Sequence, residues 1–471
     1  MRLPVLLALF AVTTTASAAD LIAVYHRALQ NDPQLREAEA NRLAAIEAKP
    51  QAQAALLPQL TASGSATKER DTGSTSTSTP LTAPGAGTPG QLPQELSYGL
   101  NGQTTTISHQ YGVTLRQNVF NWANWVALRR ADASLAQAEA DYEAAQQDLI
   151  GRVAERYFGV LAAQDDLESL LAALASIDQQ LGQAEGRYKA GLSALTDVQE
   201  AQAARDSGAA AVIESKRQVA AARELLWEIT GDSFDTLARP QEPFATANPE
   251  PASEDQWVQM ALRQNLSLVS SRLAADIARQ DVSVAEGGHA PTIDIVASDF
   301  KNTSNGESLY SYGGSAGGTA ADLRARSIGL QVTFPLYAGG ATSSRVRQAV
   351  YLQRAAKERV ERVARSTERV TRDSYLGVLS EASRVGALRR AVESNRLALE
   401  AAEAGFAAGI RSSVEVLQAR SSWVQARTNY SRSRYDYLLN VIRLQQAAGL
   451  LSEQSLGGVN DLLRDTVAAA H

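Results

Sequence analysis

The sequence predicts a mainly α fold with a small β part: duplicated helical hairpins that carry four strands per chain. Three observations predict it. The stretch Tyr188 to Gln199, YKAGLSALTDVQ, returns 218 positions later as FAAGIRSSVEVLQ from Phe406, and the same offset carries Gly191 onto Gly409 and Gly231 onto Gly449. Leu128, Leu135, Tyr142 and Leu149 are seven apart, and Val153, Tyr157, Val160, Gln164, Leu167, Leu171 and Leu174 continue at spacings of four and three, the pattern of coiled-coil packing. Ile107, His109, Tyr111, Val113 and Leu115 occupy alternate positions, as do Ile328, Leu330, Val332 and Phe334, the pattern of strands with one apolar face.

Composition sets outer bounds. Arg2, the apolar run Val5 to Val12 and Ala16-Ser17-Ala18 read as a secretory signal peptide over residues 1–18. That run is far short of the ~20 residues a spanning helix needs, and no later segment comes near that length without charges. Any membrane insertion must therefore use strands. The 471 residues include no Cys, which excludes disulfides and thiolate metal sites, and a net charge of −6 gives no reason to expect nucleic acid.

Residues 19–231 form the first repeat. Leu21, Val24, Tyr25, Ala28 and Leu29 share one helix face before Asn31-Asp32-Pro33 interrupts, and the helix resumes to Pro58. A strand follows at about 59–66, then a Ser/Thr/Gly/Pro-rich stretch without periodicity, expected to be an exposed loop over 65–103. The second strand covers 107–119. From Trp122 to about Gly186 the period becomes helical; roughly 65 residues at ~1.5 Å each make a rod of about 100 Å. Gly191 reverses the chain, and helix returns from Thr196 to about Ile229. Residues 232–253, with Pro240, Pro243, Pro249 and Pro251, read as a linker. The second repeat, 254–449, follows the same plan: helix from Trp257 to Glu286, strands at about 292–297 and 328–334, a loop over 301–322, a long helix from Thr342 to Ala404, the bend at Gly409, and helix to Ala448. Residues 450–471 form a C-terminal segment.

Four amphipathic strands cannot close a barrel, and an open sheet edge is not viable in lipid. Two chains would supply eight strands, too narrow for a lumen; three would supply twelve and leave one. A cyclic trimer is the smallest assembly with a useful pore, its two strand-connecting loops outside the cell and its rods in the periplasm.

DLIAVYHRALQNDPQLREAEANRLAAIEAKPQAQAALLPQL from Asp20, YKAGLSALTDVQ, FPLYAGG at Phe334, GFAAGIRSSVEVLQAR from Gly405 and YDYLLNVIRLQQAAG from Tyr435 together resemble the TolC family of outer membrane exit ducts, over essentially the whole mature chain. The resemblance implies a homotrimer with a 12-stranded outer-membrane β-barrel continued by a trimeric α-barrel, docking on a periplasmic adaptor and an inner-membrane pump. It implies passage of drugs or secreted proteins without chemistry or cofactor, and a tip closed by an iris of helix bends. Carried over by position, Asp197 and Arg411 match an acid and a base of the closing links, Thr196 assists, and Glu415 matches an acidic ring. Phe406 stands where the archetype has tyrosine, and Gln418 where it has a second acid. Three such carboxylates about 8 Å apart would repel by about 2 kcal/mol per pair at an effective dielectric of 20, so the ring should attract cations. The plainer reading is local: Ser412-Ser413-Val414-Glu415 and Thr196-Asp197-Val198-Gln199 both fit a capping box.

Catalysis has little to stand on. Gly313-Gly314-Ser315-Ala316-Gly317 spells G-x-S-x-G, but inside a Gly/Ser loop instead of a strand-to-helix turn, and His26, His109, His289 and His471 are scattered. Tyr98, Tyr111, Phe120, Trp122 and Trp125 read as an interfacial aromatic girdle. The rival from another class is a soluble periplasmic coiled-coil adaptor or scaffold, against which the four paired strands argue.

Overall fold

A computed structural model describes residues 18–80, 95–192, 194–241, 243–310 and 317–464. The signal peptide up to Ser17, the middle of the 65–103 stretch, most of the G-x-S-x-G motif and the end of the C-terminal segment lie outside the described residues. In chain order the first repeat comprises α1 (Leu21–Asn31), α2 (Pro33–Ile46), α3 (Ala48–Ala54), β1 (Gln59–Pro80), β2 (Glu95–Phe120), α4 (Trp122–Lys189) and α5 (Leu195–Thr230). After β3 (Arg239–Pro240) the second comprises α6 (Glu254–Gln264), α7 (Leu266–Glu286), β4 (Thr292–Tyr310), β5 (Gly317–Thr333), α8 (Ala341–Ala407) and α9 (Ser413–Ala447). Helix α10 (Glu453–Asn460) and β6 (Leu463–Arg464) end the described chain.

The chain divides into two compact units. One, residues 1–46, 133–277 and 353–471, is helical around a core that includes Leu21, Val24, Leu149, Val153, Tyr157, Phe158, Leu438 and Ile442, all at most 1% exposed. The heptad residues Leu149, Val153, Tyr157 and Val160 thus point inward. The duplication is visible in how each hairpin is closed. Asn31 Nδ2 donates to Thr230 O at the end of α5 (2.7 Å), and Asn265 Nδ2 donates to Ala447 O at the end of α9 (3.0 Å). The N-caps repeat as well: Leu35 N donates to Asp32 Oδ2 and Leu268 N to Asn265 Oδ1. Asn265 therefore divides the helix expected from Trp257 to Glu286 into α6 and α7, because its side chain opens the second helix just as Asp32 opens α2.

Asp32 is almost fully buried, and Arg152 reaches it with two donors while also bonding Asp148. Burial works against the Asp32 charge, but the Arg152 guanidinium and the Leu35 N–H outweigh it and hold the carboxyl below its usual range. The expected linker is docked, not loose: Ala19 bridges to Leu237, β3 pairs with β6, and Phe244 meets Tyr437 edge to face. Tyr157 Oη donates to the carbonyls of both Ala19 and Ala238, fastening the chain start and the linker to α4.

The other unit, residues 47–132 and 278–352, holds a four-stranded antiparallel sheet in the order β1-β2-β4-β5. Here the sequence expectation needs correction. The stretches expected as loops, 65–103 and 301–322, are for the most part strand: β1 and β2 run 22 and 26 residues, β4 and β5 19 and 17. Pairing continues without a slip from Gln59↔Arg116 to Pro80↔Glu95. The alternation vanishes beyond about Lys68 because Ser, Thr and Gly occupy both faces, so the period-2 signal is lost while the backbone ladder and the β-propensity of Thr persist. A transmembrane strand needs only about 9–11 residues, so these strands exceed the hydrocarbon layer.

Candidate functional site at the helix bends

Both bends are built alike. Gly191 and Gly409 have φ of +75° and +73°, the left-handed region where a side chain would clash with the following carbonyl. At the first, Leu192 N donates to Arg187 O (2.8 Å) and Gly191 N to Tyr188 O (2.9 Å); at the second, Ile410 N donates to Gly405 O (2.9 Å) and Gly409 N to Phe406 O (3.0 Å). Each is a Schellman motif, which satisfies the last carbonyls of the descending helix and turns the chain.

The returning helices start differently. Ser412 caps α9 through a complete capping box: Glu415 N donates to Ser412 Oγ (3.4 Å) and Ser412 N donates to Glu415 Oε1 (3.2 Å). The Ser412 backbone N–H, its hydroxyl and the nearby Arg411 hold the Glu415 carboxyl below its usual range, so it is ionised at neutral pH. Helix α5 has no such cap. It starts one residue earlier than the sequence suggested, with Ala194 at the N-cap and no side-chain bond, so Thr196 and Asp197 fall inside the first turn and the expected Thr196–Gln199 box does not form. Leu195 is a stronger helix former than Thr196, and it draws the helix start past the capping residue.

Arg411 meets Glu415 at 3.9 Å, four residues along the same segment, and its side-chain carbons lie over Gly405, where a Cβ would approach Arg411 Cγ to 3.0 Å. Among the described residues no ion pair joins Arg411 to Asp197. Asp197 is half-buried at the start of α5, and Thr196 is exposed. Gln418, also exposed, lines a groove of about 700 Å³ between α4, α5 and α9 with Val414 and Leu417.

Besides ties higher up such as Tyr435 to Asp165 and Arg427 to Glu168, two contacts near the bends join the hairpins, and the sequence reading missed them. Phe406 packs beside Leu399, Ala402 and Val416, and the Arg187 guanidinium of α4 sits 5.2 Å from its ring centroid. A cation–π contact therefore stands where a tyrosine hydroxyl would offer a hydrogen bond. Arg420 of α9 bonds Glu403 of α8 and the Ser176 hydroxyl of α4, with only 12% of its side chain exposed. Arg187, Phe406, Glu403 and Arg420 line a second cavity of about 690 Å³. The only sequence signal for either arginine is its nearness to a bend glycine; their partners are remote in the chain.

The family model described as outer membrane efflux protein matches residues 24–232 and 257–450, one span in each repeat. The chain belongs to the TolC family of outer membrane efflux proteins. It is 34% identical to the outer membrane protein TolC of Vibrio cholerae over 461 residues, covering 96% of each chain. It is 33% identical to TolC of Escherichia coli, over 99% of this chain and 90% of that one. The alkaline protease secretion protein AprF of Pseudomonas aeruginosa is 29% identical over 94% of this chain and 86% of its own. Among solved structures, the CmeC outer membrane channel of Campylobacter jejuni superposes with a TM-score of 0.71 at 17% identity, covering 98% of both chains. That likeness confirms the fold: an α-barrel with a β-barrel, as in the family's channels. As a TolC-family member the chain is an outer membrane exit duct for efflux or secretion, and this location disposes of the soluble adaptor.

Proposed function

We propose that three copies of this chain close one 12-stranded barrel and form a passive duct, whose periplasmic bends open like an iris when an adaptor and an inner-membrane pump engage it. The observation that carries this reading is the open sheet. Its order leaves β1 and β5 as edges, and the edges carry exposed apolar residues, among them Leu60 and Ile328, the latter 81% exposed. In lipid such edges must pair, and β1 of one copy against β5 of the next closes the ring head to tail.

The register supports a barrel wall in membrane. Leu60, Leu115, Ala297 and Ile328 stand side by side on one face, with Ala62 and Val113 beyond them. The opposite face of the same strands is mostly polar on β1 and β2: Thr61, Thr114, Ser298 and Ser327 form one row and Ser65, Gln110 and Asn302 another that ends in Leu323, with Ser63, Gly112, Phe300 and Ala325 between them. Apolar-out, polar-in alternation is the signature of a water-filled barrel. The apolar band also slants. On β5 it ends at Ile328, level with Leu60, while on β2 it continues to Tyr111 and on β1 to Ala66, as tilted strands require.

At the bends, Asp197 serves no cap within its own chain and lies at the positive end of a helix, ready for a base on a neighbour, with Arg411 the candidate. Glu415 forms the ring charge while capping α9. A reversible loss of the Arg187–Phe406 and Arg420–Ser176 contacts lets the α8–α9 hairpin move relative to α4 and α5. Efflux and protein secretion place the same demands on this geometry.

The test is assembly and conductance together. Protein extracted from outer membranes is expected to run as a trimer that converts to monomer on heating, and to form cation-preferring channels of low conductance in planar bilayers. Asp197→Asn is expected to raise that conductance. A soluble monomer without channel activity refutes the duct, and an unchanged conductance in Asp197→Asn removes it from the closing links.

A further inference from the structure

The face that carries the apolar band ends, on the side of the strand turns, in charge. One pair beyond Leu60 and Ile328 the β5 position is Arg326; the next is Arg324, beside Lys301 of β4. On β1, where the band reaches further, Lys68 and Arg70 follow Ala66. All five cations lie on the face of Leu60, Leu115 and Ile328, because every cross-strand step to them is even. The same region of that face carries three acids, Asp299, Glu307 and Asp322, so the belt has an excess of two positive charges per chain.

The acids organise the belt without saturating it. Asp299 accepts from Arg324 Nε and Nη2 at 2.9 and 2.7 Å and from Arg326 Nε at 3.1 Å, and Lys301 Nζ lies 3.0 Å from Asp322. A guanidinium has five N–H donors. Arg326 is thus held through Nε alone among the described contacts, and 68% of its side chain is exposed. At the other end of the sheet the exposed side chains include the large aromatic and apolar Trp122, Trp125, Phe334, Leu336 and Tyr337, with Tyr337 88% exposed. One rim is suited to an ordinary lipid interface and the other is cationic and preformed for oxyanions.

We propose that this belt binds the phosphate groups of lipopolysaccharide, with Arg324, Arg326 and Lys301 as the fixed site, Lys68 and Arg70 flanking it, and the acyl chains lying on the apolar band below. The proposal rests on the barrel reading above, since it takes this face as the outer one and the strand turns as extracellular. The ligand must join acyl chains to clustered phosphates at the turn-side rim, and the amphiphile of the outer leaflet has that chemistry. Phosphatidylglycerol offers a single phosphodiester and no cluster.

The experiment uses the detergent-extracted trimer, stripped of lipid, with short-chain lipopolysaccharide added back and bound copies counted by native mass spectrometry. Parallel samples take enzymatically dephosphorylated lipopolysaccharide or phosphatidylglycerol. Binding of intact lipopolysaccharide is expected to exceed both, and Arg326→Gln, which leaves Arg324 on Asp299, is expected to weaken it roughly tenfold, as loss of a charge-assisted contact does. Lys68→Gln with Arg70→Gln, which unpairs no described acid, is expected to weaken it further, and Arg347→Gln on α8 to leave it unchanged. Equal binding of all three lipids, or belt variants that bind like the parent, overturns the proposal. Bilayer conductance separates the two failures: a conducting trimer with unaltered lipid binding rejects the belt alone, whereas a protein that neither trimerises nor conducts rejects the barrel on which it rests.

Discussion

Replacing Arg420 with Ala should open the channel. Its guanidinium joins α9 to Glu403 of α8 and, across the hairpins, to Ser176 of α4, so any swing of the α8–α9 hairpin away from α4 must break the Ser176 bond. Arg420 is 12% exposed but Glu403 is 43% exposed, so solvent screens the ion pair and its share is about 1 kcal/mol, below the range for buried charged hydrogen bonds. The bond to the Ser176 hydroxyl adds about 1 kcal/mol. Roughly 2 kcal/mol per protomer corresponds to about a 30-fold shift of the closed-to-open balance. In planar bilayers Arg420→Ala should therefore show longer and larger openings, and cells carrying it should admit bulky antibiotics. Arg420→Lys, which keeps the charge but not the fork, should lie between. A variant whose trimer melts earlier while its conductance stays at the parental level would refute the reasoning, because Arg420 would then hold the fold and not the gate.

The remaining contacts predict smaller, separable effects. Arg187→Ala removes the cation–π contact to Phe406 and should raise conductance by the equivalent of about 0.5–1 kcal/mol, with no change in ion preference; a changed reversal potential would place Arg187 in the conduction path instead. Glu415→Ala should both reduce cation selectivity and destabilise the start of α9 by about 1 kcal/mol, whereas Glu415→Gln, which keeps an acceptor for the Ser412 N–H, should lose selectivity alone; equal reversal potentials in parent and Gln variant would reject the ring. Asp32 is held below its usual pKa, so its stabilising effect is complete above the unfolded value of about 3.9 and is lost as pH falls through the lower folded value. Thermal melts should show that acid-side loss in the parent and its absence in Asp32→Asn, which should also melt earlier at neutral pH.

The repeat plan was legible because its punctuation is glycine at positive φ and a polar cap at the first hairpin mouth, features written in single residues. Gly191 and Gly409, and the Asn31-Asp32-Pro33 interruption, are such marks, whereas Asn265, which caps α7 as Asp32 caps α2, went unread because no proline follows it. The outer halves of the strands were illegible because Ser and Thr on both faces erase the alternation that marks a strand, although the ladder from Gln59 to Pro80 is unbroken. Arg187 and Arg420 were missed for another reason: their meaning lies in partners 219 and 244 residues away, on the other hairpin, and no local pattern encodes that.

The bends show what duplication leaves free. Asp197 and Glu415 occupy equivalent positions, 218 apart, each in the first turn of a returning helix. In the second copy Ser412 supplies the cap, and Glu415 closes the box with its own carboxylate. In the first copy Ala194 stands at the cap, so no local bond claims Asp197, which takes part in no ion pair among the described residues. One difference at the N-cap thus separates two equivalent acids into a structural one and an available one. It follows that restoring the cap with Ala194→Ser should stabilise α5 by about 1 kcal/mol and offer the first turn's N–H groups a local acceptor. If Asp197 serves a neighbouring chain, that gain should appear without loss of channel closure, because Asp197 never took part in the cap that the introduced hydroxyl would supply.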